Sequence, residues 1–187
     1  MQKDVLLFLK KKNRMKYLVV IDMQYDFVSG SLGTPEAAAI LENVKNKISA
    51  YRKDSENCRI LYTQDTHNEQ YLHTQEGQYL PVEHCIKGTD GWEIVKELLI
   101  PGAEIIEKPA FGSLELAERI ATAGDVESIE LIGVCTDICV ISNALILKAR
   151  LPEVPISIDA RCCAGVTPES HEKALATMRM CQIDIHA

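Results

Sequence analysis

The chain has no surplus of positive charge: 20 Lys and Arg stand against 27 Asp and Glu, a net of −7 over 187 residues. Apart from Lys3, Lys10, Lys11, Lys12 and Arg14 near the start, no basic stripe interrupts that balance, which argues against a nucleic-acid surface. No apolar run approaches the ~20 residues that a membrane-spanning helix needs, so no membrane partner is expected. The seven cysteines include no Cys-x-x-Cys pair, which leaves neither a zinc ribbon nor a thioredoxin-type motif. Their odd number, and their place in or beside apolar runs where free Cys acts as a small hydrophobe, point to the reducing cytoplasm. No Gly-x-Gly-x-x-Gly follows the first apolar strand, which sets aside a dinucleotide-binding role. Repeats, low-complexity tracts and linkers are missing too, and the length suits one domain with a full core.

At the start, the apolar patch Val5 to Leu9 has most of its basic residues after it, the reverse of a secretory signal. An N-terminal extension over 1–14 and a single domain over 15–187 are expected. Within that domain, strand-like runs at 17–21, 59–63, 104–107, 128–133, 155–158 and 182–185 alternate with helical patterns at 36–51, 92–99, 114–122, 138–149 and 168–180. Several of the strands are apolar on both faces, as in a parallel sheet covered on both sides. The expected fold is a three-layer α/β/α sandwich around a mostly parallel, doubly wound sheet of about six strands.

Ligands of such sheets bind beyond the carboxyl ends of the strands. Asp22 follows the first strand, Lys108 the third, and Cys139 falls in the first helical turn after the fourth, where the helix dipole favours a thiolate. Taken alone, Asp22 would cap a turn, Lys108 would be a solvated charge and Cys139 a buried core thiol. At neighbouring strand ends they form an acid, a cation and a nucleophile. A second group lies in or beside the long irregular stretch 64–91: Asp65, His67 and His84, with Glu76 between them. Two imidazoles and carboxylates suit zinc, manganese or iron, although loop histidines are also common surface residues.

The motifs Asp22-Met-Gln-x-Asp26-Phe27, Asp65-x-His67, Lys108-x-x-Phe111-Gly112-Ser113 and Gly133-Val-x-Thr136-Asp137-x-Cys139-Val140 stand in this order. From about Met15 onward the chain resembles the isochorismatase-like cysteine hydrolases, most of all their nicotinamidase/pyrazinamidase branch. The resemblance implies a catalytic triad of Asp22, Lys108 and Cys139. It also implies a cis peptide at Val134–Cys135, which would turn the Cys135 N–H toward that of Cys139 as an oxyanion hole. It implies a divalent metal, zinc first and manganese or iron as alternatives, on Asp65, His67 and His84 with Glu76 as a plausible fourth ligand. The implied reaction is hydrolysis of a small-molecule amide through a Cys139 thioester.

Some positions depart from the branch. Leu80, with Tyr79 beside it, stands where many members have Trp, and Thr66 follows Asp65 in place of another Trp. Phe27, Tyr79 and Leu80 are the residues expected to flank the substrate. These departures keep open a related hydrolase acting on another small amide or ureide. A redox-sensing or non-catalytic thiol protein is the reading from a different class. Relatives are often oligomeric, so a homo-oligomer is possible.

Overall fold

A computed structural model of the chain describes residues 14–124 and 126–187. The expected N-terminal extension, Arg14 apart, lies outside the described residues. Six strands form one sheet: β1 (Met15–Ile21), β2 (Cys58–Asp65), β3 (Glu104–Lys108), β4 (Val126–Val134), β5 (Ile156–Ala164) and β6 (Asp184–His186). Every pairing is parallel and the order is β3-β2-β1-β4-β5-β6. Parallel neighbours need crossovers, and helices supply most of them. After β1 come α1 (Tyr25–Val28), α2 (Pro35–Ala39) and α3 (Leu41–Lys53), and the segment after β2 holds α4 (Gln75–Tyr79). Helices α5 (Leu114–Ala123), α6 (Ile141–Arg150) and α7 (Pro168–Met180) follow β3, β4 and β5 in turn.

The strand β1, Met-Lys-Tyr-Leu-Val-Val-Ile, shows why both sheet faces are covered. Leu18 and Val20 pack on one side with Val44 and Ile48 of α3. Tyr17, Val19 and Ile21 pack on the other with Leu116 and Ile120 of α5 and Ala144 and Leu147 of α6. From Tyr17 to Ile21 every position is apolar, a run that is stable only between two helical layers. Helix starts are set locally: Thr34, Ser113 and Thr167 accept the N–H groups of Ala37, Leu116 and Ser170. Among the described residues no helix is long and apolar enough to cross a membrane.

Three expected elements differ. The pattern at 92–99 is not a helix: Ile94 forms an antiparallel bridge with Gln24, and the Tyr25 and Val95 N–H groups bond to the Glu93 and Met23 carbonyls. Long-range pairing overrides the helical period there. The expected helix 36–51 is two, α2 and α3, joined at Ile40. The fifth strand runs six residues beyond its expected end, to Ala164. Asp159 and Arg161 interrupt its apolar run in the sequence, but they pair with each other in the fold.

The chain moves outward from β1 through β2 and β3, then returns to β1's other side and moves away through β4, β5 and β6. The reversal falls between β1 and β4. A crevice beyond the carboxyl ends of these two strands is where a doubly wound sheet binds its ligand.

Candidate active site

Four strand ends converge on that crevice. Asp22 immediately follows β1, Asp65 ends β2, Lys108 ends β3, and Cys139 lies in a wide, π-type turn, Thr136–Val140, between β4 and α6. Asp22 has a positive φ of 48°, a backbone state that Asp tolerates better than most residues. Thr63 of β2 holds it there, donating to Asp22 Oδ1 at 2.6 Å and accepting the Asp22 N–H at 3.2 Å. The Val134–Cys135 peptide is cis. Gly133 beside it has a φ of 118°, and a Cβ there would collide with the Ile21 carbonyl oxygen of β1.

Lys108 is the hub. Its Nζ lies 2.7 Å from Asp22 Oδ2, 3.0 Å from Asp65 Oδ1, 3.5 Å from Cys139 Sγ and 3.1 Å from the Ala110 carbonyl oxygen. Burying an ammonium is tolerable only with partners of this kind. Burial pulls the Lys108 pKa down, but Asp22, Cys139 and Asp65 together hold it well above the ordinary value. Burial raises the Cys139 thiol well above its usual range; Asp22 adds to this and Lys108 opposes it. The Asp22 carboxyl is also raised, by burial first and then by Asp65, against the pull of Lys108. Burial and the neighbouring Asp22 carboxylate thus oppose the thiolate that the helix N-terminus and Lys108 favour.

The second oxygen of Asp65 belongs to another group. Asp65 Oδ2 lies 3.0 Å from His67 Nε2 and 3.7 Å from His84 Nε2, and Glu76 Oε1 lies 3.7 and 3.6 Å from the same two nitrogens. A tetrahedral zinc ion with ligands at about 2.0–2.1 Å separates its donor atoms by about 3.3–3.4 Å. The observed separations straddle that value: Asp65, His67 and His84 form a group that fits a divalent ion, and Glu76 lies within 3.7 Å of both histidine nitrogens. His84 Nδ1 donates to the Val82 carbonyl at 2.8 Å, which leaves the Nε2 lone pair facing Asp65 and Glu76. Burial alone would raise the Asp65 carboxyl, but the His67 hydrogen bond and Lys108 hold it below the ordinary range, so it stays anionic. Asp26 fixes the backbone next to His84 by accepting the Cys85 N–H at 2.7 Å.

A cavity of about 290 Å³ opens onto both groups; Asp65, Glu76, His84, Cys135 and Cys139 all line it. That volume is at the small end for a ligand pocket and suits a small molecule. Phe27 and Leu80 form part of its wall as expected from the sequence, with the Phe27 ring 5.5 Å from that of His84. Tyr79 does not: it ends α4 with 84% of its surface exposed and is absent from the lining. Phe111, Leu32, Thr34, Ile138 and Val166 complete the wall instead. Phe111 belongs to a motif already noted, whereas Leu32 and Val166 carry no signal in the sequence. Tyr71 was also not foreseen: fully buried, it packs its ring against both His67 and His84.

The isochorismatase domain model matches residues 16–185. The chain belongs to the isochorismatase domain family. A member of known structure, the pyrazinamidase of Pyrococcus horikoshii in complex with zinc, is 30% identical, with a TM-score of 0.79 over 91% of this chain and 97% of that one. An uncharacterized isochorismatase family protein, PncA of Bacillus subtilis, is 28% identical over 86% of this chain and 92% of its own length. The nicotinamidase of Saccharomyces cerevisiae is 32% identical over 46% of this chain and 50% of its own length. The six-stranded parallel sheet is the isochorismatase-like fold anticipated from the motifs.

Proposed function

We propose that this isochorismatase-family protein is a metal-dependent amidohydrolase that cleaves a small carboxamide, nicotinamide in the first instance, to the acid and ammonia. The observation that carries the reading is the double role of Asp65. One of its oxygens bonds Lys108, which reaches Asp22 and Cys139; the other joins the histidines. Nucleophile and metal-type donors thus face one small cavity at a fixed separation, as hydrolysis of an anchored amide requires. The zinc-bound pyrazinamidase relative supports the same direction.

In this reading Asp22 accepts the Cys139 proton as the sulfur attacks the amide carbon, and Lys108 balances the charge left on the pair. The backbone N–H groups of Cys135 and Cys139 receive the developing oxyanion. Asp22 returns the proton to the leaving nitrogen, and ammonia departs from a thioester. Water then attacks the thioester carbon and gives a proton to Asp22, which passes it to the departing Cys139 sulfur, releasing the acid and regenerating the thiol and the Asp22 carboxylate. Asp65, His67, His84 and Glu76 would hold the metal, zinc first among the candidates; when bound, it supplies a Lewis-acidic anchor for a substrate ring nitrogen.

The test is ammonia release from nicotinamide by freshly zinc-loaded protein, with and without a chelator. Chelator-sensitive turnover is expected, and no turnover by the loaded protein would sink the substrate assignment. A second reading, a related hydrolase for another small amide or ureide, draws on the wall. Leu32, Leu80 and Val166 line the cavity while Tyr79 faces solvent, so the site does not require a flat aromatic substrate. A panel of carboxamides and ureides separates the two. A redox-sensing role fits poorly, because oxidation favours an accessible sulfur and Cys139 is buried.

A further inference from the structure

Asn143 is a buried side chain that the proposed chemistry leaves unused. It sits on the core-facing stripe of α6 with Ala144 and Leu147 and is wholly inaccessible to solvent. An apolar residue would fill such a place without the cost of burying an amide. Its bonds explain the exception. Nδ2 donates to the Cys139 carbonyl at 2.8 Å and to the Phe111 carbonyl at 3.2 Å, and Oδ1 accepts the Ser113 N–H at 2.9 Å. Both amide hydrogens and one lone pair are committed.

The partners belong to the two segments whose separation matters for catalysis. Cys139 carries the nucleophile. Phe111 and Ser113 belong to the loop 109–113 that leaves Lys108. That loop is anchored at its start by Lys108 Nζ on the Ala110 carbonyl. At its end the Ser113 hydroxyl accepts the Leu116 N–H and caps α5. Between these anchors, Asn143 bonds the loop to the backbone of the nucleophile turn.

We propose that Asn143 is a positioning residue: it clamps the Cys139 turn to the loop 109–113 and so fixes the 3.5 Å approach of Lys108 Nζ to the reactive sulfur. The kinetic consequence rests on the amidohydrolase reading, but the effect on the thiol does not. A purely structural amide would lower stability and leave the folded fraction equally reactive. A clamp controls the reactivity of each folded molecule, since the thiolate is the reactive form and Lys108 is the cation beside it.

The experiment compares the zinc-loaded parent with Asn143→Ala and Asn143→Ser, each corrected for folded fraction. The Ala variant is expected to lose about 10–100-fold in kcat on nicotinamide with KM changed by less than about twofold. Carboxamidomethylation of Cys139 by iodoacetamide, followed by peptide mass spectrometry, is expected to slow by about tenfold while Cys181 reacts as in the parent. The Ser variant, with one hydroxyl donor for two carbonyls, should recover part of both losses. A folded Ala variant with the parent's Cys139 alkylation rate, or a faster one, overturns the proposal. If Ala does not fold, Ser is judged on the same measurements. A parent without turnover on nicotinamide defeats the substrate assignment alone, and alkylation then decides the role of Asn143.

Discussion

At the scale of single residues, Asp22 is the position where removing one charge tests the chemistry most cleanly. Asn is isosteric with Asp and tolerates the positive φ found there, so Asp22→Asn preserves the backbone. Lys108 keeps Asp65 and the Ala110 carbonyl as partners, so it is not left as an unpaired buried cation. What is lost is the acceptor for the sulfur proton, together with the 2.7 Å ion pair to Lys108. A kcat about 10²–10⁴-fold below the parent is expected, with little change in thermal midpoint; a variant keeping more than about a tenth of parental kcat would defeat the role of base. The residues of this cluster were legible in the sequence for a specific reason. Asp22, Asp65 and Lys108 fall at or just beyond the ends of strand-like runs, and in a parallel sheet such positions share one edge. Asn143 and Tyr71 were not legible. Each acts through partners from 4 to 32 residues away, or through ring packing, and no local pattern reports such contacts.

At the scale of elements, the joint between β1 and β4 and the seam between α3 and β5 carry testable strain and charge. Gly133 brings β4 against β1, and a side chain there meets the Ile21 carbonyl in a φ region that L-residues avoid. Gly133→Ala should destabilise the protein by about 2–5 kcal/mol, measured by urea unfolding; a loss under about 1 kcal/mol would show that the joint can yield. At the seam, Asp159 of β5 pairs with Lys47 of α3 at 2.8 Å and with Arg161 at 2.8 Å. Burial pushes the Asp159 carboxyl up, but Arg161 and Lys47 hold it well below the ordinary carboxylate range. A depressed folded-state pKa adds stability above the unfolded value of about 4, and that stability is lost as pH falls toward the folded value. Asp159→Asn should therefore cost about 1–2 kcal/mol near pH 7, a figure kept small by the exposure of Arg161. Urea unfolding across pH should show the parent and variant converging as pH falls below about 4. The same charges hid the second half of β5 from sequence reading, since a strand interrupted by Asp and Arg does not look buried. The pattern at 92–99 misled in the opposite way: a helical period was recruited into a bridge with Gln24 that only the folded chain brings near.

At the scale of the whole molecule, the donor set is split across a long stretch of chain that only the folded sheet draws together. Asp65 ends β2, Glu76 lies in α4, His84 follows it, and Lys108, bonded to the far side of Asp65, ends β3. The unfolded chain has no such arrangement, so an ion that binds here binds the native state and stabilises it by mass action. At a free zinc concentration about 100 times its dissociation constant, the gain is about 2.7 kcal/mol. For a domain of this size that corresponds to a rise of about 5–11 °C in thermal midpoint. His84→Ala removes a buried donor and should abolish the increment, whatever it does to the metal-free midpoint. Cys139→Ala should keep it, because the sulfur reaches Lys108 and is not among the donors. The difference between metal-loaded and chelated midpoints, measured in all three proteins with one ion bound per chain, separates the site from nonspecific binding at the surface. An equal increment in His84→Ala would move the ion elsewhere and leave Asp65 serving Lys108 alone.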